Sequence, residues 1–300
     1  MAPQTDAALP QLLALAKPLA TSVPPRELVL ARLVVPPRAA EVSGGLQLEN
    51  AAVAHASAAV NEARSELVAE GIPARAVAMT SSSPGSDLSH LVEHEDVDLV
   101  LVEGRRPLVG QGVALHDVNE LLASAPSDVA VLIAREQDPI DLGPDRPVLV
   151  VFGGAEHDWS ALELGSWLAS TSGAPLKLLG AGETTDGSPS SSVSRMLADA
   201  GLLAQQFSGV ATESVVVENG RQGIIDAAEG AGLLLIGLSD RWRREGLGST
   251  RSEIARSAPA PVLFVRRGTR PSALAPREDL TRFQWSIAGA GDDSESLLPS

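Results

Sequence analysis

Residues 150–169, VVFGGAEHDWSALELGSWLA, join a β-branched run to a Gly-Gly turn and then to a helix-like stretch with Leu162, Trp167 and Leu168 on its apolar stripe. This is the opening of a βα unit. Gly-rich strand-to-helix turns suit phosphate, because the free N–H groups at a helix start attract anions. The question the stretch raises is whether its Gly-Gly turn still holds a nucleotide.

The same alternation extends in both directions. Strand-like runs at 26–35, 74–80, 97–104 and 128–134 are separated by helix-like runs at 46–70, 86–95 and 117–124. After the Pro- and Asp-rich DPIDLGPDRP (138–147) the pattern restarts with PVLVVFGG. Strand-like runs follow at 174–181, 213–218, 232–237 and 261–267, and helices at 189–206, 221–230 and 250–257. Alternation of this kind predicts βαβ crossovers and a parallel sheet. Gly104 and Gly237 each close an apolar strand, and Ala125-Pro126 and Ala258-Pro259 each precede the last one. The equal spacing between these markers in the two halves indicates an internal duplication. The expected division is a first unit over 1–138, a linker over 139–147, a second unit over 148–268 and a C-terminal extension over 269–300 with a disordered end.

The first unit is unequal to the second at its start. A doubly wound sheet has its first strand in the middle, yet MAPQTDAALPQLLALAKPLA offers only a loop and a helix before the strand at 26–35. Either that central strand lies ahead of Met1, or another segment fills its place. In the tail, Phe283, Trp285 and Ile287 alternate with Gln284 and Ser286 and could add a strand to an open edge. The plainer reading is a tail pinned by two aromatics.

Composition narrows the classes of function. The 300 residues carry a formal charge of −15 and 44% hydrophobic residues, with neither Cys nor Tyr. Disulfides, thiolate metal sites and Cys nucleophiles are excluded. The acidic balance argues against nucleic acid, whose phosphates need clustered Lys and Arg. No apolar run approaches the roughly 20 residues that span a bilayer, and the start lacks the layout of a signal peptide, so the expected location is cytoplasmic.

These residues resemble a pair of universal stress protein domains. GGAEHDWSAL (153–162) is similar to that family's first signature in Gly154, Glu156, His157, Ala161 and Leu162. GLSDRWRREGLGST (237–250) with SAPAPVLFV (257–265) is similar to its closing glycine loop and last strand. The resemblance implies an α/β fold of two universal-stress-protein-like units, of the adenine nucleotide alpha hydrolase-like type, with parallel five-stranded sheets, the first unit lacking its N-terminal strand. It also implies that the last strands, 128–134 and 261–267, pair with each other, and that the chain forms a homodimer. FGGAEHDW, the later VRRG and REDLTRFQWS are similar to the cytoplasmic tail of bacterial cation/proton antiporters. That likeness implies a membrane transporter domain of the same polypeptide as partner, a place at the inner face of the cell membrane, and a role in regulating ion transport.

The family's nucleotide site would fall on Gly153, Gly154, Ala155, Gly237, Asp240, Arg241, Gly246, Gly248, Ser249 and Thr250. In ATP-binding members an Asp stands where this chain has Gly153, and Ala155 likewise replaces a hydroxyl residue. In the loop, Asp240 replaces a glycine and brings negative charge toward phosphate, costing about 1 kcal/mol or more at partly buried range. Arg241, Arg243 and Arg244 could offset it or simply line a solvated face. In the first half Gly104, Gly110 and Gly112 persist beside Arg105 and Arg106, but Leu115-His116 stands at the phosphate end. The expectation is a degenerate site for an adenine nucleotide, among ATP, AMP, cyclic AMP and cyclic di-AMP, with the cyclic ones suffering less from Asp240.

Other constellations carry less. Glu156, His157 and Asp158 are metal-ligand types, but consecutive helical residues do not converge on one ion. The five histidines have no spacing that builds a triad, and no serine sits in a GxSxG elbow. Trp159 and Trp167 read as core or inter-unit packing, with an adenine platform as the lesser reading. The sequence therefore points to a non-catalytic regulatory module of an antiporter, with a free-standing tandem stress protein binding ATP or AMP as the alternative.

Overall fold

The computed structural model describes residues 1–36, 45–104, 116–135, 139–182, 184–185, 188–189, 191–218, 220–239, 242, 247–270 and 272–274. The first half contributes α1 (Ala8–Ala20), β1 (Leu28–Val34), α2 (Gly45–Ala69), β2 (Ala74–Thr80), α3 (Pro84–His94), β3 (Leu99–Gly104), α4 (His116–Ser124) and β4 (Asp128–Ile133). The second contributes β5 (Val148–Val151), α5 (Glu156–Ser172), β6 (Leu176–Gly182), β7 (Thr184–Thr185), β8 (Ser188–Pro189), α6 (Ser191–Ser208), β9 (Thr212–Glu218), α7 (Arg221–Ala227), β10 (Leu233–Leu238), α8 (Gly248–Ser257) and β11 (Val262–Arg266).

Every long element expected from periodicity is present. The Ser-rich stretch between β6 and α6, expected as loop, includes the small antiparallel pair β7–β8. The inner strands are continuous apolar runs because helices cover both sheet faces. All six residues of β4 and of β10 are buried. One core gathers Val100, Val102, Val131, Leu234 and Phe264. The other gathers Leu101, Leu132, Val150, Leu235 and Leu263. Neighbouring positions on a strand thus serve opposite cores, as the two-residue period of the pleat requires. On α1, Leu12, Leu15, Ala16 and Leu19 recur at helical spacing and join Leu164 and Leu168 of α5 in the second core.

Seven strands form one sheet in the order β3-β4-β11-β10-β5-β6-β9, and β1-β2 form a separate parallel pair. The five strands of the second half are mutually parallel. The join between halves is the expected one: β4 and β11 run antiparallel, with Val262 opposite Ile133 and Arg266 opposite Val129. The second half thus carries the expected five parallel strands, and the first, short of its N-terminal strand as expected, is divided between β3-β4, joined to that sheet, and the separate pair β1-β2. The antiparallel join fuses the halves, and among the described residues no full strand connects β1 to β3.

The start of the chain lies in that gap. Met1 donates from its amino group to the Val29 carbonyl (2.7 Å), and Ala31 N–H donates to the Met1 carbonyl (2.9 Å). Ala2 N–H donates across to the Leu101 carbonyl (2.8 Å). Residues 1–2 therefore supply the end of a strand between β1 and β3. The tail residues Phe283 to Ile287, the other candidate for this place, lie outside the described residues.

Burial at the gap pushes the Met1 amino group down from 8.0 to about 5. The unfolded chain then holds one proton more than the folded chain between about pH 5 and pH 8, so stability contributed by this group rises with pH across that window and is lost below it. We expect melting temperature to climb from pH 5 to pH 8, and N-terminal acetylation to remove that part of the climb in a thermal scan. An acetylated chain with an unchanged profile would refute the assignment.

Candidate functional site

The Gly-Gly turn lies at the carboxyl end of β5, where open α/β sheets place their ligands. Gly154 takes φ +82°, a left-handed conformation that favours glycine, and a Cβ there would come within 2.9 Å of Met196 Sδ. Gly153, Gly154 and Ala155 are exposed. Their geometry is that of an anion cradle, and an anion is already in it. The Asp158 carboxylate accepts from Gly153 N–H at 2.9 Å and from Ala155 N–H at 3.1 Å through one oxygen, Oδ2. Asp158 stands at the third position of α5, so this is the acidic half of a capping box, turned inward to close the cradle.

The carboxylate that does this is itself buried. Desolvation raises the Asp158 pKa above its ordinary value, opposed by His157, by the two amides and by Arg251. His157 Nε2 stands 3.4 Å from the other oxygen, Oδ1. Arg251 lies in the first turn of α8, so the Gly-Gly turn and the start of the closing helix face a common charge group. Of the residues expected there, Gly248 opens α8 with φ +73°, and Ser249 and Thr250 are exposed. Asp240, Arg241 and Gly246 lie outside the described residues, as do Arg243, Arg244 and residues 105–115, which include Arg105, Arg106, Gly110, Gly112 and Leu115.

Gly237, expected at the nucleotide loop, has a packing task. It is buried within β10, and a Cβ there would stand 2.6 Å from the His157 carbonyl oxygen. Its absence of side chain lets α5 close onto the sheet and so sets the height of the cradle. Trp159 packs edge-on against Phe152 at 4.9 Å, and Trp167 packs on Phe207 at 5.7 Å with the Arg26 guanidinium 4.4 Å above it. Both tryptophans are packing residues, as the favoured reading had it. Among the described residues no group of three or more His, Asp or Glu side chains is placed to hold a metal.

The first half repeats the self-closure with other residues. After the strand end at Met1–Ala2, the Glu103 carboxylate accepts from Gln4 N–H at 2.7 and 2.8 Å and from Thr5 N–H at 2.8 Å. Glu103 is 8% exposed. Here the closing acid comes from β3 rather than from the following helix. In the sequence Asp158 stands out only as one of three metal-ligand types in a row, and Glu103 not at all. Asp158 was findable as an acid at the third helical position after Ala155; Glu103 was not, because its partners lie 98 and 99 residues away.

Comparison with known proteins agrees with this architecture. Residues 146–266 match the model of the Universal stress protein family. No curated protein matches it. A universal stress protein from Archaeoglobus fulgidus superposes with a TM-score of 0.63 at 17% identity, covering 89% of this chain and 96% of its own; the two share the fold. A protein of the same family from Burkholderia pseudomallei, 24% identical, covers 40% of this chain and 95% of its own with a TM-score of 0.31. A universal stress protein solved in complex with cAMP, 21% identical, covers 42% of this chain and all of its own, with a TM-score of 0.35. Among the described residues no helix is long and apolar enough to cross a membrane.

Proposed function

We propose that the chain is a non-catalytic regulatory module made of two universal-stress-protein units, whose nucleotide site has been turned against ATP. The observation that carries this reading is the Asp158 carboxylate seated on the amides of Gly153 and Ala155. A triphosphate brought to those amides would meet a fixed carboxylate, and like charges at contact range cost about 1 kcal/mol in water and several times that where solvent is excluded. The ligand class that suits the site is an adenine nucleotide with a single phosphodiester charge per base, such as cyclic AMP or cyclic di-AMP. The first half, closed by Glu103, is the structural unit of the pair.

Titration calorimetry with ATP, AMP, cyclic AMP and cyclic di-AMP tests this. The expected order places a cyclic nucleotide at least about tenfold tighter than ATP, and Asp158→Asn narrows that gap by removing about 1 kcal/mol of repulsion. Micromolar ATP binding by the unaltered chain would overturn it.

The partner we propose is the membrane domain of a cation/proton antiporter, supported by the sequence likeness of FGGAEHDW, VRRG and REDLTRFQWS. A free-standing tandem stress protein is the second reading. Co-purification of the chain with an antiporter from membranes, unaffected by high salt, supports the first. Recovery of all the native protein without any membrane partner supports the second.

A further inference from the structure

An anion that reaches the Gly-Gly turn meets a place already taken by a negative charge. Asp158 Oδ2 accepts from the Gly153 and Ala155 N–H groups at 2.9 and 3.1 Å, and Oδ1 faces His157 Nε2 at 3.4 Å. The residue is 7% exposed. A phosphate oxygen in the cradle needs the same two N–H groups, and each backbone amide is a single donor. Asp158 and a ligand therefore cannot hold them together.

What becomes of a displaced Asp158 follows from its surroundings. α6 brings Met196 to the turn, with Sδ against Gly154, and β10 presents Gly237, which has no side chain. The residue ahead of the turn is Phe152, also buried. Among the described residues, the charged groups that act on Asp158 are His157 of its own helix and Arg251 of α8. Arg267, from the end of β11, is engaged by Glu156. An ionised carboxylate pushed off the amides would stay buried and lose its donors, which costs a charged group far more than a neutral one. A proton removes that cost. The balance already leans this way, because burial raises the Asp158 carboxyl above its ordinary value even with both amides in place. Withdrawing two donors that favour the ionised form raises it further.

We propose, building on the nucleotide-binding reading above, that a phosphodiester enters this cradle only as Asp158 gives it up and takes a proton, so that the site binds nucleotide and proton together. The exchange conserves charge. The proton neutralises one carboxylate, one phosphodiester replaces it, and His157 and Arg251 face the same net charge before and after. A triphosphate brings several charges against that single proton, so the coupling also favours a singly charged ligand. Proton and nucleotide then strengthen each other's binding by the same factor. The module thereby responds to acidification as well as to nucleotide.

Cyclic AMP, whose phosphodiester stays ionised throughout, is titrated into the full chain by calorimetry between about pH 6 and pH 8, in pairs of buffers that differ in ionisation enthalpy. The expected result is uptake of about one proton per nucleotide, with affinity falling at least about threefold for each pH unit toward the tenfold limit of one-proton linkage. In Asp158→Asn, which resembles the neutral carboxyl, the uptake disappears and affinity is level across the range. Binding without proton uptake overturns the coupling and leaves the nucleotide reading intact. Uptake that persists in Asp158→Asn also overturns it, and places the proton on His157. Binding by Asp158→Asn alone shows a carboxylate that excludes the ligand instead of exchanging with it, and overturns the coupling too. Absence of binding by both chains at every pH overturns the nucleotide reading and the coupling with it.

Discussion

Replacing Arg266 with Met is expected to cost about 3–5 kcal/mol of stability, and so to lower the melting temperature by about 10 °C. Arg266 is 6% exposed and comes from β11, in the second half, yet its guanidinium donates to three carbonyls of the first. Nε donates to the Leu122 carbonyl at 2.8 Å, Nη2 to that of Ala125 at 2.9 Å and Nη1 to that of Ser127 at 3.0 Å. These carbonyls close the last turn of α4 and the turn into β4. A helix leaves its final carbonyls without partners and places partial negative charge there, so a cation is doubly favoured. The last turn of α4 holds no basic residue of its own, and Arg266 supplies one from across the β4–β11 join. Met fills most of the volume but strands three carbonyls in a dry interior. Thermal unfolding followed by circular dichroism checks the prediction; a loss below about 1 kcal/mol, the level of an exposed polar contact, would refute the cross-half capping role. Arg266→Lys should recover only part of the loss, since an ammonium cannot match the fork.

Glu163→Ala is expected to cost a similar amount, about 3–5 kcal/mol, because it leaves a half-buried guanidinium short of its main partner. Glu163 sits on α5 at 1% exposure. Its Oε1 accepts from Arg270 Nη1 and Nη2, both at 3.1 Å, and its Oε2 from Ser272 Oγ at 2.7 Å and Ala273 N–H at 2.8 Å. Arg270 also reaches Asp128 at 3.2 Å, where burial raises the carboxyl pKa. One carboxylate therefore fastens the segment after β11 back onto the second core, where Leu274 is 6% exposed. Loss of Glu163 should speed tryptic cleavage after Arg267 as well as lower the melting temperature. Glu163→Gln, which keeps an acceptor without the charge, should fall between. Cleavage at an unchanged rate in Glu163→Ala would show that the segment is held by other contacts.

The reach of sequence reading differs between these parts of the molecule. The strands and helices were legible because their signals are local: VDLVLVEG and GLLLIG are apolar runs of strand length, and GGAEHDWSAL carries both its turn and its helix start within ten residues. The β4–β11 join was legible only through family resemblance. The Ser272-Ala273 anchor was not legible at all, since TRPSALAPRED reads as a connector and its acceptor lies over a hundred residues away. At the candidate site, the glycines identified the turn, but nothing in their spacing says that the cradle is filled from within.

By itself the sequence determined an α/β chain of alternating strands and helices, with a helix rather than a strand ahead of residues 26–35 and a Gly-Gly turn at the head of an amphipathic helix. Those properties depend on local periodicity and on residue identity at a few positions. The tertiary structure alone decided that Asp158 and Glu103 occupy the two turns, that Arg266 caps a helix of the opposite half, and that Met1 and Ala2 lie between β1 and β3. Each of these is a pairing of groups brought together by sheet order and helix placement, and a buried carboxylate, guanidinium or amine takes whatever partner the packed chain puts within hydrogen-bond range.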